Sequence, residues 1–347
     1  MPATSTSEQQ SETASAAAVL DQPKQPGPVA SWLRSRRGRT VLSVAAVVLY
    51  VAVSVVAFTR WSLWTSRDYI WVWLIGGLLA GSLADLKGAV RGVLRDWIPF
   101  MGMIIAYDLL RGISDGLVPE AHSQLAIDAD RFMFGGQLPT VFLQQHFYSL
   151  IHPHWYDYAT WAIYSTHFVV TVIVAAVLWR VNRERFRRFR TRVVTLAFAA
   201  IAFFAVFPTV PPWLAGEEYL IPGVRRIPLH VSRHLGVHPV ATAFEHGSHF
   251  ANVVAAIPSL HAAFPMVLFL FFWSSGWPVR ILLGSYVLAM GVAVVYSGEH
   301  YVFDVFAGWA FAAGTAAAVE AAAYARRRWG ARLGRRVSAP AFERARA

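Results

Sequence analysis

Two short segments of the chain carry residue types that can move a proton and bind an oxyanion, and the first is Pro258-Ser259-Leu260-His261. It opens an apolar run, and proline suits a first helical position, where its missing N–H would have no partner anyway. The amide groups that follow, at Ser259 and Leu260, lack partners within the helix, so they can bind a phosphate. His261 stands beside them and can protonate a leaving oxygen. The alternative interpretation is a histidine that only caps the water-facing end of a helix.

The second segment runs from Tyr296 to Asp304 and contains His300 four residues before its last residue. Residues four apart share a face of a helix. An aspartate that accepts a hydrogen bond from one ring nitrogen sets the tautomer and leaves the other nitrogen free to attack. We therefore predict His300 as a nucleophile and Asp304 as the group that orients it, because a carboxylate within the apolar run VFDVFAGW needs a partner. The alternative is a structural hydrogen bond that joins two helices.

The elements that must position these residues are predicted to cross a membrane. The chain has 347 residues, of which 56% are hydrophobic and 15% are charged, whereas a soluble domain has about 25% charged residues. Several apolar runs approach the roughly 20 residues that span a bilayer. We expect an all-α, polytopic helical bundle with about eight spans. They are predicted at 41–59, 69–85, 97–113, 156–179, 193–213, 257–275, 279–297 and 302–324.

The placement of arginine and lysine predicts the topology. Basic clusters lie before the first span, between the second and third, between the fourth and fifth, and after the last. With eight spans all four lie on one side, which the positive-inside rule makes cytoplasmic. Eleven of the 12 histidines then fall on the outward side, and only His167 lies within a span. We therefore expect the chemistry on the extracytoplasmic side, within a membrane catalytic domain at 39–325. The flanks are predicted as a disordered cytoplasmic tail at 1–38 and a basic cytoplasmic tail at 326–347.

Composition limits the remaining classes of protein. The net charge of +11 comes from basic residues beside apolar runs, so topology explains it and no nucleic-acid partner is expected. The chain has no cysteine, which excludes disulfides and thiolate chemistry. The spacing of several histidines suits metal ligands, so a His-rich metal-handling membrane protein is an open alternative. The residues concerned are His152, His154, His230, His234 and His238.

Taken together, the two segments resemble the second and third motifs of the type 2 phosphatidic acid phosphatase superfamily, over roughly residues 95–325 and most closely over 257–308. In that family a Pro-Ser-x-His segment supplies an acid histidine. A downstream His-x-x-x-Asp segment supplies a nucleophile that forms a phosphohistidine. The resemblance gives these roles to His261, His300 and Asp304. It implies a metal-independent enzyme that needs no cofactor and acts on a lipid phosphate from the outer leaflet. The setting is then the plasma membrane of a bacterium, crossed several times, with both termini cytoplasmic.

The resemblance is to a less common branch of that family. Leu260 stands where the second motif usually has glycine, and Val294 stands where the third motif usually has arginine, six residues before the nucleophile. These departures resemble the fungal inositol phosphorylceramide synthases and their bacterial relatives, as do FPTVPPW at 207–213 and YDLLRG at 107–112. Members of that branch can transfer the phosphoryl group with its headgroup to an alcohol, here an inositol-like one, instead of water.

The valine at position 294 leaves the phosphoryl oxygens without their usual cation, and another must neutralise them. We predict Arg111, at the end of the third span, and Arg131, in the loop after it, as phosphate-binding residues. Further candidates precede the sixth span: Arg225, Arg226 and Arg233. Alternatively, Arg111 is a snorkelling side chain paired with Asp108. The same valine keeps open a catalytically inactive membrane scaffold, and the oligomeric state stays open.

Overall fold

The regular secondary structure of the described residues is helical, and β-pairing there is limited to two isolated bridges. The all-α prediction is therefore confirmed. The computed structural model describes residues 31–32, 35–61, 67–103, 105–106, 121–218, 220–236 and 254–337. The chain divides into two compact units. They are Met1–Leu63 with Ile70–Val93, and Trp64–Tyr69 with Leu94–Ala347.

The first unit contains an apolar helical hairpin. Its helices are α1 (Arg36–Trp61), α2 (Arg67–Ala80) and α3 (Leu86–Gly92), with a 3₁₀ turn at Leu83–Asp85. The hydroxyl of Tyr50 donates to the carbonyl of Trp73 at 2.5 Å, and the Trp73 indole donates to the Ser54 hydroxyl at 2.7 Å. Glycine at position 76 permits this approach, because a Cβ there would lie 2.8 Å from the Tyr50 hydroxyl. The outer face of α1 exposes valines and leucines, as a lipid-facing helix does.

The second unit holds the remaining helices and both predicted motifs. The helices are α4 (Gln124–Met133), α5 (Pro139–Phe147), α6 (Trp155–Val181), α7 (Arg183–Val206), α8 (Pro212–Glu217), α9 (Ile227–His234), α10 (Leu260–Phe271), α11 (Trp277–Tyr296) and α12 (Val302–Val337). The short helix α10 packs against α6, α7, α11 and α12. Its apolar side chains are buried on several sides, which is typical of a helix enclosed in a bundle. Helix α10, which carries His261 in its first turn, is thereby surrounded by four longer helices.

The predicted number of eight spans is not confirmed. Among the described residues, four helices are long and apolar enough to cross a membrane. They lie at Arg37–Ala57, Arg183–Val206, Trp277–Tyr296 and Val302–Ala331. Helix α6 makes a fifth if its two halves, bent by 45° after His167, form one span. Helix α10 has 12 residues and is about 18 Å long, too short for the ~30 Å hydrocarbon core. Part of the span predicted at 97–113 lies outside the described residues.

The arginine-rich stretch 180–192 and the two histidine motifs lie at opposite ends of the second unit's long helices. Helix α6 ends and α7 begins in the arginine-rich stretch 180–192, and Arg192 of α7 pairs with Glu320 of α12 at 2.7 Å. At the other end of α7, Thr209 bridges to His122 and Ala255. Ala255 is four residues before Ser259, so the first histidine motif lies at that second end. The second motif lies there too, because the amide of Ser259 donates to the carbonyl of Asp304 at 3.1 Å. Helix α12 continues to Val337, so the first part of the predicted C-terminal tail is helical.

Candidate active site

A tight turn between α11 and α12 holds His300. The carbonyl of Val294, in the last turns of α11, accepts hydrogen bonds from the amides of Glu299 and His300, both at 3.1 Å. Gly298 has a φ of +80°, and a Cβ there would lie 2.6 Å from the carbonyl oxygen of Arg225. Only glycine fits such a position. These contacts fix the backbone of His300 independently of its side chain.

Asp304 orients the His300 ring. Its Oδ2 lies 3.4 Å from His300 Nδ1 and accepts a hydrogen bond from the amide of Tyr301 at 2.9 Å. His300 lies two residues before α12, so the two side chains do not share a helical face as the sequence predicted. They meet because Asp304, in the first turn of α12, caps its own helix. Since Nδ1 faces the carboxylate, Nε2 is the ring nitrogen left for chemistry.

His261 completes a cluster of aromatic rings around Nε2 of His300. Its Nδ1 lies 3.3 Å from that nitrogen. The His261 ring stacks on Tyr164, with centroids 4.6 Å apart, and lies 4.0 Å from the His167 ring. His167, which the sequence placed alone within a span, is thus part of the site's wall. Packing on two sides restricts the His261 ring to a narrow range of orientations.

The N-terminus of α10 differs from its prediction. The helix begins at Leu260, and Ser259 is its N-cap, with Oγ accepting from the amide of Ala262 at 3.2 Å. Pro258 therefore precedes the cap instead of occupying the first helical position. The Ser259 amide is bonded to the Asp304 carbonyl. Glycine at position 308 lets α12 approach this closely, because a Cβ there would lie 2.3 Å from the Ser259 carbonyl oxygen.

The structure brings three of the predicted site residues into direct contact with one another. His261, His300 and Asp304 form a continuous chain of contacts. Leu260 lies beside them, buried at the start of α10. Arg131 has a side chain that is 43% exposed and lies 3.9 Å from Asp128 on the same helix. Arg111 lies outside the described residues. The phosphate-binding roles given to these residues stay predictions.

The sequence reasoning missed Asp130, the neighbour of Arg131. This fully buried carboxylate accepts hydrogen bonds from the amides of Val302 and Phe303, at 3.1 and 2.9 Å. Asp130 lies on α4, yet it caps the start of α12, which begins two residues after His300. Burial raises the pKa of Asp130 to about 6, the two amides oppose that rise, and Asp304 adds to it. No motif marks this aspartate in the sequence, since it lies in a polar stretch with other charged residues.

Replacement of Asp130 by asparagine is expected to change how stability depends on pH. The pKa of Asp130 is raised from 3.8 to about 6 by folding, so between these values the folded state binds more protons than the unfolded state. The free energy of unfolding therefore falls as the pH rises through this window. Thermal unfolding in detergent measures it: the wild-type midpoint minus the variant midpoint should decrease from about pH 4 to pH 6 and then level off. Asp128→Asn, at an exposed position of the same helix, is the control. A constant difference across the window would contradict the assignment.

Other polar groups near the site have structural partners. Asp157 is fully buried and accepts from the hydroxyl of Tyr296 at 2.5 Å and from the amide of His154 at 2.7 Å. It thus caps α6 and joins it to α11. His230 bonds to the Tyr148 hydroxyl at 2.6 Å. His238 lies outside the described residues. Across the described ranges, no three His, Asp or Glu side chains are grouped as a metal site requires, so the metal-handling alternative gains no support there.

Comparisons with known proteins agree with the site's composition. The family model of the PAP2 superfamily matches residues 139–318, just over half of the chain and all three central residues. The chain belongs to the PAP2 superfamily. It is also similar to the phosphoinositol dihydroceramide synthase of Bacteroides thetaiotaomicron, with 25% identity over 219 residues, which cover 61% of this chain and 71% of that protein.

This similarity agrees with the resemblance to the inositol phosphorylceramide synthase-like branch of the superfamily. No solved structure matches the chain. Together, the family and the apolar helices define an integral membrane enzyme of lipid phosphate chemistry, a phosphatase or a transferase.

Proposed function

We propose that the protein transfers a phosphoryl group from a lipid phosphate by way of a covalent phosphohistidine at His300. The observation that carries this proposal is the asymmetric environment of the His300 ring, with Nδ1 at 3.4 Å from Asp304 and Nε2 at 3.3 Å from His261. One nitrogen is held by a buried carboxylate and the other faces a second imidazole. This is the arrangement that a nucleophile with a separate proton donor requires.

The proposed reaction has two steps. In the first, His300 Nε2 attacks phosphorus, the P–O bond to the lipid alcohol breaks, and that oxygen takes a proton from His261. In the second, the acceptor hydroxyl gives its proton to His261 and attacks phosphorus, and the P–N bond breaks. Asp304 accepts the Nδ1–H hydrogen bond throughout, which stabilises the positive charge on the phosphorylated ring. No metal ion or other cofactor enters either step.

Two observations support the finer features of the proposal. The similar protein is a synthase of phosphoinositol dihydroceramide, which supports an alcohol as the acceptor, with an inositol-bearing headgroup, instead of water. The histidines lie at the helix ends opposite the arginine-rich stretch 180–192. By the positive-inside rule this supports a site on the extracytoplasmic side, supplied with lipid from the outer leaflet.

The test is a product analysis with the purified protein in detergent and EDTA. Labelled phosphatidic acid, a polyprenyl phosphate and phosphatidylinositol are each incubated alone, with inositol, or with dihydroceramide. We expect turnover in the presence of the chelator, and a new labelled phospholipid only when an alcohol acceptor is present. Release of inorganic phosphate alone would establish a phosphatase instead. Activity that EDTA abolishes and a divalent metal restores would contradict the proposed mechanism.

A further inference from the structure

The phosphoryl group needs a cation that position 294 does not provide. Negative charge on the equatorial oxygens of a transferring phosphoryl group must be met by positive charge or N–H donors. Val294 is fully buried and packs in an apolar cluster with Tyr164, Ala262 and Met290. The site therefore lacks an arginine at the position where much of the family carries one, and its charge has to come from another element.

Arg226 is held against the His300 turn by its own backbone neighbours. The Gln144 side chain accepts from the amide of Arg225 at 2.8 Å and donates to its carbonyl at 2.9 Å. On the other side, the amide of Ile227 donates to the carbonyl of Ser297 at 3.1 Å. The residues before and after Arg226 are thus both fixed. This attachment does not depend on the arginine side chain, so a variant of Arg226 can keep the same backbone.

The Arg226 side chain is directed along the turn by Glu299. Its Nε lies 2.8 Å from one carboxylate oxygen and its Nη2 lies 3.4 Å from the other. The guanidinium also lies over the face of Trp213, 4.7 Å from the ring centroid, and the Trp213 amide donates to the carbonyl of Gly298 at 2.9 Å. Glu299 immediately precedes His300. The arginine is therefore positioned by Glu299, which is part of the His300 turn, and by Trp213, which is bonded to that turn.

The electrostatic surroundings keep Arg226 charged and connect it to the second histidine. Burial by itself lowers the pKa of the Arg226 guanidinium, but Glu299 and then Tyr164 raise it above its ordinary value. Tyr164 is the ring on which His261 stacks, at 4.6 Å between centroids. The guanidinium is thus paired with the residue adjacent to His300 and interacts electrostatically with the ring on which His261 stacks.

A purely structural ion pair explains this arrangement less well. A buried pair of charges contributes little to stability compared with an apolar pair of the same shape. Arginine, in contrast, is suited to binding a carboxylate with one edge of its planar fork and phosphoryl oxygens with the other. Glu299 provides the fixed orientation that such a donor needs at the moment of reaction.

We propose that Arg226, oriented by Glu299 and Trp213, binds the equatorial oxygens of the phosphoryl group during transfer to and from His300. It thereby takes the place of the arginine that is absent at position 294. This inference rests on the proposed function. Glu299 is a positioning residue, because it acts through the arginine.

The test compares Arg226→Gln with Arg280→Gln, which changes an exposed arginine at the start of α11, the end away from the His300 turn. For Arg226→Gln we expect turnover of lipid phosphate to fall by about 10²- to 10³-fold, as for the loss of one donor to a transition-state oxyanion. Inhibition by orthovanadate, a mimic of the five-coordinate phosphorus, should weaken as well. Arg280→Gln should stay within about twofold of the wild type in both measurements. Equal turnover and equal vanadate inhibition in wild type and Arg226→Gln would overturn the inference.

A second variant separates chemistry from folding. Arg226→Gln leaves Glu299 buried without its partner, so the double variant Arg226→Gln/Glu299→Gln removes both charges at once. If it folds, by its thermal unfolding midpoint, and is still slow, the role in transfer is supported. Recovery of wild-type turnover would show that the arginine only neutralises Glu299, and would overturn the inference.

Stabilisation by inorganic phosphate gives a readout that does not require turnover. Phosphate should raise the unfolding midpoint of the wild type and of Arg280→Gln, but much less that of Arg226→Gln. If the wild type turns over no lipid phosphate and still shows this pattern, the anion site stands and the proposed function fails. If the wild type is active and phosphate stabilises Arg226→Gln equally, the inference fails and the proposed function stands.

Discussion

Replacement of His300 by alanine is expected to lower turnover of lipid phosphate by a factor on the order of 10³ to 10⁶, the range seen when a nucleophile acting with a base is removed. The reason is geometric. Nε2 of His300 is the nitrogen of this ring that Asp304 does not occupy, and Nδ1 of His261 lies 3.3 Å from it. Alanine at this position has no group that can attack phosphorus.

The rate alone does not identify a covalent intermediate, so the label on the protein should be followed too. Wild-type protein mixed rapidly with labelled lipid phosphate and quenched in base should carry an acid-labile phosphoryl group, and His300→Ala should carry none. His146→Ala is the matched control: this exposed imidazole on α5 bonds to the carbonyl of Phe142 at 2.8 Å and should leave rate and labelling unchanged. Equal labelling of wild type and His300→Ala would remove this residue as the nucleophile.

Replacement of His261 by glutamine is expected to slow turnover of a natural lipid phosphate by about 10²- to 10⁴-fold, the usual contribution of a positioned general acid and base. The loss should depend on the leaving group. An alkoxide leaves slowly unless it is protonated, whereas p-nitrophenolate leaves without help. In a rapid-mixing experiment with p-nitrophenyl phosphate, His261→Gln should therefore still release a burst of nitrophenolate before the slow second step.

The burst experiment distinguishes the two histidines, because His300→Ala should show no burst with any leaving group. Since the His261 ring packs against Tyr164 and His167, the thermal unfolding midpoint of His261→Gln should be measured alongside. A folded His261→Gln variant that loses the burst completely would contradict the role of His261 as the acid, and would give it a part in binding the phosphoryl group instead.

Local patterns in the sequence were enough to find the central residues of the site. A helix start with its histidine and a His-x-x-x-Asp segment each lie within a few residues, and the physical reason for each is a short-range one. The resemblance to the PAP2 superfamily came from the same two segments and is confirmed. The contact between His300 and Asp304 was predicted from a shared helical face, but it arises from a helix cap.

The number of spans was less accessible from composition. The sequence shows an apolar run at 257–275, but the helix within it starts at Leu260 and ends at Phe271. Hydropathy counts apolar residues and does not report where the backbone leaves the helix. A hydropathy count therefore does not distinguish a short buried helix, surrounded by longer helices, from a transmembrane span.

The sequence by itself determined that this is a helical membrane protein, and it predicted His261, His300 and Asp304 as the residues of its chemistry. Only the tertiary structure decided what supports them. Asp130 caps α12 across 172 residues of chain, and Arg226 meets Glu299 across 73. Neither pair is marked by a sequence motif or a regular spacing, because packing between helices creates the geometry that joins them. Arg131 and the buried Asp130 are neighbours in the sequence, and they differ only in which side of α4 they occupy.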